Sequence, residues 1–271
     1  MIEPGVLRVE GGEVEAKARE KNYRVLGVRV DAVQIGDVVE RMEEWIGRGE
    51  RGKYIAVTGM HGVMEAQHEE RFKRVLSEAD LVVADGYPLA WMGRRKGYGM
   101  KRRVYGPELM EAFCERSAGK GYRHFFYGGA EGVAEELGRR MAGRFAGLEV
   151  AGACGPPYRE LTEEEDGKVM GEIERARADV VWVGMSTPKQ ERWMWEHRGR
   201  VKAAVMVGVG AAFDFHTGRA KRAPKWMGEN GLEWAYRLWR EPRRLWRRYL
   251  VNGAEFVVRV GMEEMGMRKY E

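Results

Sequence analysis

Val180-Val181-Trp182-Val183-Gly184 and Val205-Met206-Val207-Gly208-Val209 are two unbroken apolar runs, separated by an amphipathic stretch from Pro188 to His197. Short runs with no polar alternation read as strands buried on both faces, and the stretch between them carries helix periodicity. Ser186 and Thr187 suit the cap of that helix and Pro188 its first turn. Strand, helix, strand of this kind implies a parallel sheet sheathed by helices.

The same texture extends outward. Further strands are predicted at Val25 to Val30, Tyr54 to Thr58, Leu81 to Ala84, His124 to Tyr127 and Leu148 to Gly152. Helices are predicted over Asp37 to Ile46, Gly62 to Leu76, Pro107 to Ala118, Gly132 to Phe145 and Thr162 to Ala176. The expected fold is α/β: a mostly parallel, Rossmann-like sheet with helices on both faces and ligands at the strand carboxyl ends. After Gly210 no strand pattern recurs, so a helical C-terminal appendage is expected. The boundaries are a mobile leader at 1–22, an α/β domain at 23–218 and a basic, Trp-rich appendage at 219–271.

With 271 residues, 44% of them hydrophobic, the chain can bury a sizeable core. Its net charge of +5 says little until its distribution is considered. Cys114 and Cys154 are the two cysteines, each in an apolar stretch, which argues against a disulfide framework and fits a reducing cytoplasm. No apolar run approaches the ~20 residues needed to span a bilayer, and the N-terminal segment is charged rather than built as a signal peptide.

Four strand ends carry chemistry. Tyr54 to Thr58 runs into Gly59, Met60 and His61, which sets Thr58 and His61 where backbone amides can meet an anion. A lone His at a helix entry is ordinarily a structural residue, and no second His or Cys stands at metal-ligand spacing. Leu81 to Ala84 delivers Asp85 and then Gly86, a carboxylate with room beside it for a ligand. Asp85 is the candidate general base; the plainer reading is a turn aspartate before glycine. His124 to Tyr127 leads into Gly128 and Gly129, a glycine turn before a helix that suits a diphosphate. A nicotinamide site needs GxGxxG and an acid ending the next strand, which here ends Ala151-Gly152-Ala153, so a nicotinamide oxidoreductase is the alternative. Val180 to Gly184 is followed by Lys189 and Gln190, suited to a phosphate and to a uracil or sugar.

No paired acids occur at a predicted strand end, so no metal and no cofactor is expected. The acidic run Glu163 to Asp166 falls in a first helical turn, where it favours the dipole. Leaving-group charge would then fall to Arg, Lys and helix N-termini. From Arg219 to Arg248 there are ten Lys and Arg against three Glu, interleaved with Trp226, Trp234, Trp239, Trp246 and Tyr249. That mixture suits an anionic membrane interface or a nucleic acid, the second being the reading of a non-catalytic RNA-binding module.

Several blocks together carry a resemblance. Asp85-Gly86, Arg103-Val104-Tyr105-Gly106, Gly128-Gly129, Ser186 to Glu191, Gly210 to Asp214, Arg222-Ala223-Pro224 and Gly231 to Arg237 occur in order between Val25 and Tyr249. In these the chain resembles the WecG/TagA/CpsF glycosyltransferases. The resemblance implies an inverting, metal-independent transfer from a UDP-sugar, typically UDP-N-acetylmannosamine or its uronate, to N-acetylglucosamine on undecaprenyl diphosphate. Such transfer belongs to cell-surface polysaccharide or teichoic acid synthesis. It implies Asp85 as base with Arg103 beside the reacting groups. It gives Thr58 and Gln190 to the sugar and nucleotide pocket and Arg237, Arg244 and Arg247 to the diphosphates; the strand ends and the basic segment add His61, Gly128, Gly129 and Lys189 for the donor and Arg222 for the acceptor. It places the protein on the inner face of the plasma membrane, with no nucleic acid partner, and leaves a homo-oligomer open. Many relatives have Thr-x-Asn where this chain has Thr58-Gly59-Met60. His61 is expected to replace the lost amide, so His61→Ala should reduce transfer far more than stability.

Overall fold

The computed structural model describes residues 22–270. The expected leader lies outside the described residues except for Asn22, which opens the first strand. Eight strands form one sheet: β1 (Asn22–Val25), β2 (Val28–Asp31), β3 (Lys53–Thr58), β4 (Leu81–Ala84), β5 (Arg123–Gly128), β6 (Glu149–Cys154), β7 (Val180–Gly184) and β8 (Val205–Gly208). Their order is β1-β2-β4-β3-β8-β7-β5-β6. Only β1 and β2 pair antiparallel; every other neighbour runs parallel.

Side-chain alternation sorts the core into two layers. Tyr54, Ala56, Val181 and Val183 join one cluster, while Ile55, Val57, Val180 and Trp182 join the other. Successive strand residues point to opposite faces, so a fully apolar strand feeds both layers. The first layer holds α2 (Met60–His68), α3 (Glu70–Ser77), α4 (Tyr87–Arg95), α7 (Glu163–Arg175) and α8 (Lys189–His197). The second holds α1 (Ile35–Gly47), α5 (Gly106–Ser117), α6 (Val133–Arg144) and α9 (Ala212–His216). Helix α2 leaves β3 on one face and α9 leaves β8 on the other. The adjacent carboxyl ends of β3 and β8 therefore flank the crevice where such sheets take ligands.

Three expectations change. The single strand from Val25 to Val30 is instead a hairpin, because Leu26 and Gly27 both adopt positive φ (49° and 78°) and turn the chain. Leu26 is fully buried, and that burial offsets its left-handed conformation. The helix from Gly62 to Leu76 breaks at Glu69, which is extended (φ −139°, ψ 109°). Strand β6 continues past Gly152 to Cys154. The acidic run does open α7, where Thr162 and Glu165 exchange hydrogen bonds as a capping box.

Beyond α9 the chain forms α10 (Lys225–Glu229), α11 (Glu233–Arg240), α12 (Pro242–Trp246), a π-helical turn (Arg247–Val251) and α13 (Asn252–Glu264). Leu245 and Phe256 from these elements are buried, and Phe256 belongs to the first core layer. Among the described residues, no helix is long and apolar enough to cross a membrane.

Candidate active site

A cleft of about 2050 Å³ runs along the carboxyl edge of the sheet. The sheet side supplies Gly59, His61 and Gly62 after β3, Asp85 after β4, the segment from Gly184 to Gln190 after β7, and Val209 to Ala212 after β8. The C-terminal elements supply the other wall with Arg237, Arg244, Arg247 and Arg248.

Asp85 lies half-buried in this cleft. Its amide donates to the Thr58 carbonyl (2.8 Å) and its Oδ1 accepts from the Gly106 amide (3.1 Å), which fixes the carboxylate. Burial pushes its pKa up, while Arg103, the Gly106 amide and Arg237 pull down and Glu233 adds to the rise. A raised carboxyl is the better proton acceptor. Arg103 stacks on the Tyr105 ring (4.1 Å) and pairs with Glu233, whose other oxygen accepts from the Tyr105 hydroxyl (3.2 Å). Burial opposes the Arg103 charge, yet Asp85 and Glu233 together hold its pKa above the ordinary arginine value.

The other predicted residues sort by position. His61 lines the cleft, and burial with the Arg248 charge pushes its pKa down to about 4, so the ring is neutral near pH 7. Lys189 lies exposed at the rim, its ammonium 4.6 Å from the Tyr158 ring centre. Arg237 sits over Phe215 (5.9 Å); Arg244 pairs with Glu241 (2.8 Å) and Arg247 covers Trp246 (5.4 Å), all three still lining the cleft.

Thr58 is buried one layer beneath, covered by Gly62, where a Cβ would come within 2.0 Å of its Oγ1. Gln190 is also buried, its Oε1 accepting from the Gly210 amide (2.9 Å) and its Nε2 donating to Glu191 (3.0 Å). The first bond ties the start of α8 to the segment after β8 and the second stays within α8, so the amide braces the wall. Gly128 is a close-packing position, while Gly129, with Ala130 and Glu131, lines the cleft. A Cβ on Gly128 would meet the Gly184 backbone at 2.7 Å, and the Gly129 amide already donates to the Gly184 carbonyl (2.9 Å). A diphosphate on that amide is therefore not supported, and no acid ends β6 to hold a ribose. Arg222 turns away, pairing with Glu111 on α5 (2.7 Å), and is not part of the cleft lining.

Two residues escaped the sequence reading. One is Glu233, which holds Arg103 and the Tyr105 hydroxyl. Arg248, counted only as one of ten basic residues, projects from the π-helical turn into the cleft. Its Nε is buried with no protein partner, and among the described residues it forms no ion pair. Burial depresses its pKa, Tyr249 and Asp85 oppose that, and the like charges of Arg237 and Arg244 add to it. Nearby, the buried Glu191 accepts from Thr187 (2.8 Å) through Oε1 while its Oε2 has no partner. Glu191 is fully buried and lies behind the cleft lining, whereas the Arg248 Nε is on the cleft wall, where an unpartnered polar atom is expected to meet a ligand's own groups. Among the described residues, no three His, Cys, Asp or Glu side chains are arranged to hold a metal ion.

Residues 23–270 match the family described as Glycosyl transferase WecG/TagA/CpsF family. The chain is 32% identical over 200 residues to a Bacillus spizizenii protein, covering 74% of this chain and 76% of that one. It is 26% identical over 235 residues to a Staphylococcus aureus protein, covering 86% and 91%. Both relatives carry the name N-acetylglucosaminyldiphosphoundecaprenol N-acetyl-beta-D-mannosaminyltransferase.

Proposed function

The chain belongs to the WecG/TagA/CpsF family of glycosyl transferases, and from that premise we propose that it transfers N-acetylmannosamine from UDP to N-acetylglucosaminyl-diphospho-undecaprenol. The observation that carries this is Asp85 and the four C-terminal arginines, Arg237, Arg244, Arg247 and Arg248, lining one cleft at the sheet's carboxyl edge. Asp85 takes the proton of the acceptor hydroxyl as its oxygen bonds to the anomeric carbon. The bond to UDP breaks with its electron pair, the configuration inverts, and the new negative charge falls on the diphosphate. Arg237 and Arg248, both without ion-pair partners among the described residues, meet that charge, with Arg244 and Arg247 nearer the rim. His61, neutral and beside Arg248, contacts the donor.

The appendage closes the cleft and faces an anionic membrane carrying the acceptor, on the cytoplasmic side. Trp226, Trp234, Trp239 and Trp246 are exposed on it among basic residues, a composition that favours the headgroup region. The oxidoreductase alternative lacks support from the glycine turn, and an RNA-binding module leaves Asp85 and the inward-facing arginines without a task. A screen of UDP-sugars against a synthetic prenyl-diphosphate N-acetylglucosamine, with product linkage determined, tests the reading. A new β-linked N-acetylmannosamine supports it, and no transfer from any UDP-sugar contradicts it.

A further inference from the structure

Glu233 brings a carboxylate from the appendage to the edge of the catalytic group. Its Oε2 pairs with Arg103 and its Oε1 accepts from the Tyr105 hydroxyl (3.2 Å), with the two charged side chains only 12% and 19% exposed. Its place is set by packing. Gly231, at φ +73°, lies so close to Tyr87 that a Cβ there would come within 2.7 Å of the ring, so the entry to α11 is pressed against α4.

Arg103 thereby pairs with Glu233 while its charge also acts on Asp85, with which it forms no ion pair among the described residues. The charged and titratable groups facing Asp85 are Arg103 and Tyr105 from the segment before α5, Glu233 and Arg237 from α11, and Arg248 from the π-helical turn. Without Glu233, three guanidiniums would face Asp85 with no competing anion. A carboxylate in that setting stays ionised but is a weak proton acceptor.

We propose that Glu233 is a positioning residue for the sugar transfer: by pairing with the Arg103 guanidinium it keeps that charge from being held by Asp85 alone, which leaves the Asp85 carboxylate freer to accept the hydroxyl proton. This rests on the reading of Asp85 as the base. The electrostatics agree in sign, since Glu233 pushes the Asp85 carboxyl up where Arg103 pulls it down.

The test is a titration of the full-length chain labelled with 13C at aspartate carboxyls, the Asp85 signal being the one missing from Asp85→Asn. In Glu233→Gln the Asp85 carboxyl titrates at lower pH than in wild type. The acidic limb of the kcat profile moves the same way, and the plateau falls about tenfold. Glu233→Asp keeps the charge and titrates nearer to wild type. Tyr105→Phe, which removes one anchor of Glu233, gives a smaller shift of the same sign and serves if Glu233→Gln does not fold. An unmoved Asp85 signal in folded variants overturns the proposal, as does a rise in kcat, which would make Glu233 a block on Arg103. The titration needs no substrate, so failure of wild type to transfer sugar refutes the proposed function separately.

Discussion

Arg248→Met removes a guanidinium whose Nε has no protein partner while keeping an unbranched side chain of similar reach. Two effects of opposite sign follow. If Arg248 meets the diphosphate, losing a charge-assisted hydrogen bond costs about 1.5–3 kcal/mol of binding. That is about 10- to 150-fold in Kd for UDP. In the free protein the same change relieves a desolvated, unpartnered group, a gain of about 1–3 kcal/mol. Against it stands the lost contact with the Tyr249 ring (5.8 Å), about 0.5–1 kcal/mol. A net gain of about 1 kcal/mol raises Tm by about 2–4 °C for a chain of this size. Thermal melts with and without UDP, with titration calorimetry, read both. The variant should melt higher than wild type without ligand and gain less from UDP. A lower Tm together with unchanged UDP affinity would refute the reasoning, since Arg248 would then be a structural brace.

Other outcomes follow from single contacts. His124 is buried, accepts from the Trp182 indole (3.0 Å), and burial pushes its pKa down to about 3 from 6.5. Its contribution is complete above pH 6.5 and is lost as pH falls toward 3, because the unfolded chain binds a proton first. Urea unfolding at pH 7.5, 6 and 5 should therefore show a steeper loss for wild type than for His124→Gln, whereas parallel curves would contradict the assignment. Gly62→Ala drives a Cβ to 2.0 Å from Thr58 Oγ1 and should destabilise by about 1–3 kcal/mol, with Thr58→Ala in the same chain restoring part of it. Purely additive losses would mean the two residues do not meet. Flotation with anionic vesicles should recover the protein at low salt and lose it as the Debye length falls below about 8 Å, while neutral vesicles fail; binding indifferent to lipid charge would count against the basic face.

The sheet was legible because parallel strands covered on both faces are written as continuous apolar runs, and Leu81–Ala84 needed no correction. Asp85 was legible for the same reason, since the residue after such a strand stands at the ligand edge. The hairpin was hidden by Leu26, an apolar residue in a conformation that turns usually give to glycine or asparagine. Glu69 breaks a helix with no Gly or Pro to announce it. Thr58 and Gln190 are of types that suit a ligand, but only the structure shows Thr58 covered by Gly62 with its hydroxyl unpartnered and Gln190 engaged by the Gly210 amide. Arg248 could not be told from Arg247 by a period of 3.6, because both lie in a π-helical turn whose spacing differs from that of an α-helix, and only the structure shows Arg248 to be the more buried of the two. Glu233 was hidden because its partners, Arg103 and Tyr105, are more than a hundred residues away.

The most direct measurement is transfer of sugar from UDP-N-acetylmannosamine to a prenyl-diphosphate N-acetylglucosamine by wild type and Asp85→Asn, with UDP affinity measured on both. The account predicts that the variant stays folded, binds UDP as wild type does, and loses at least ~100-fold in turnover. Turnover by folded Asp85→Asn at the wild-type rate would contradict it.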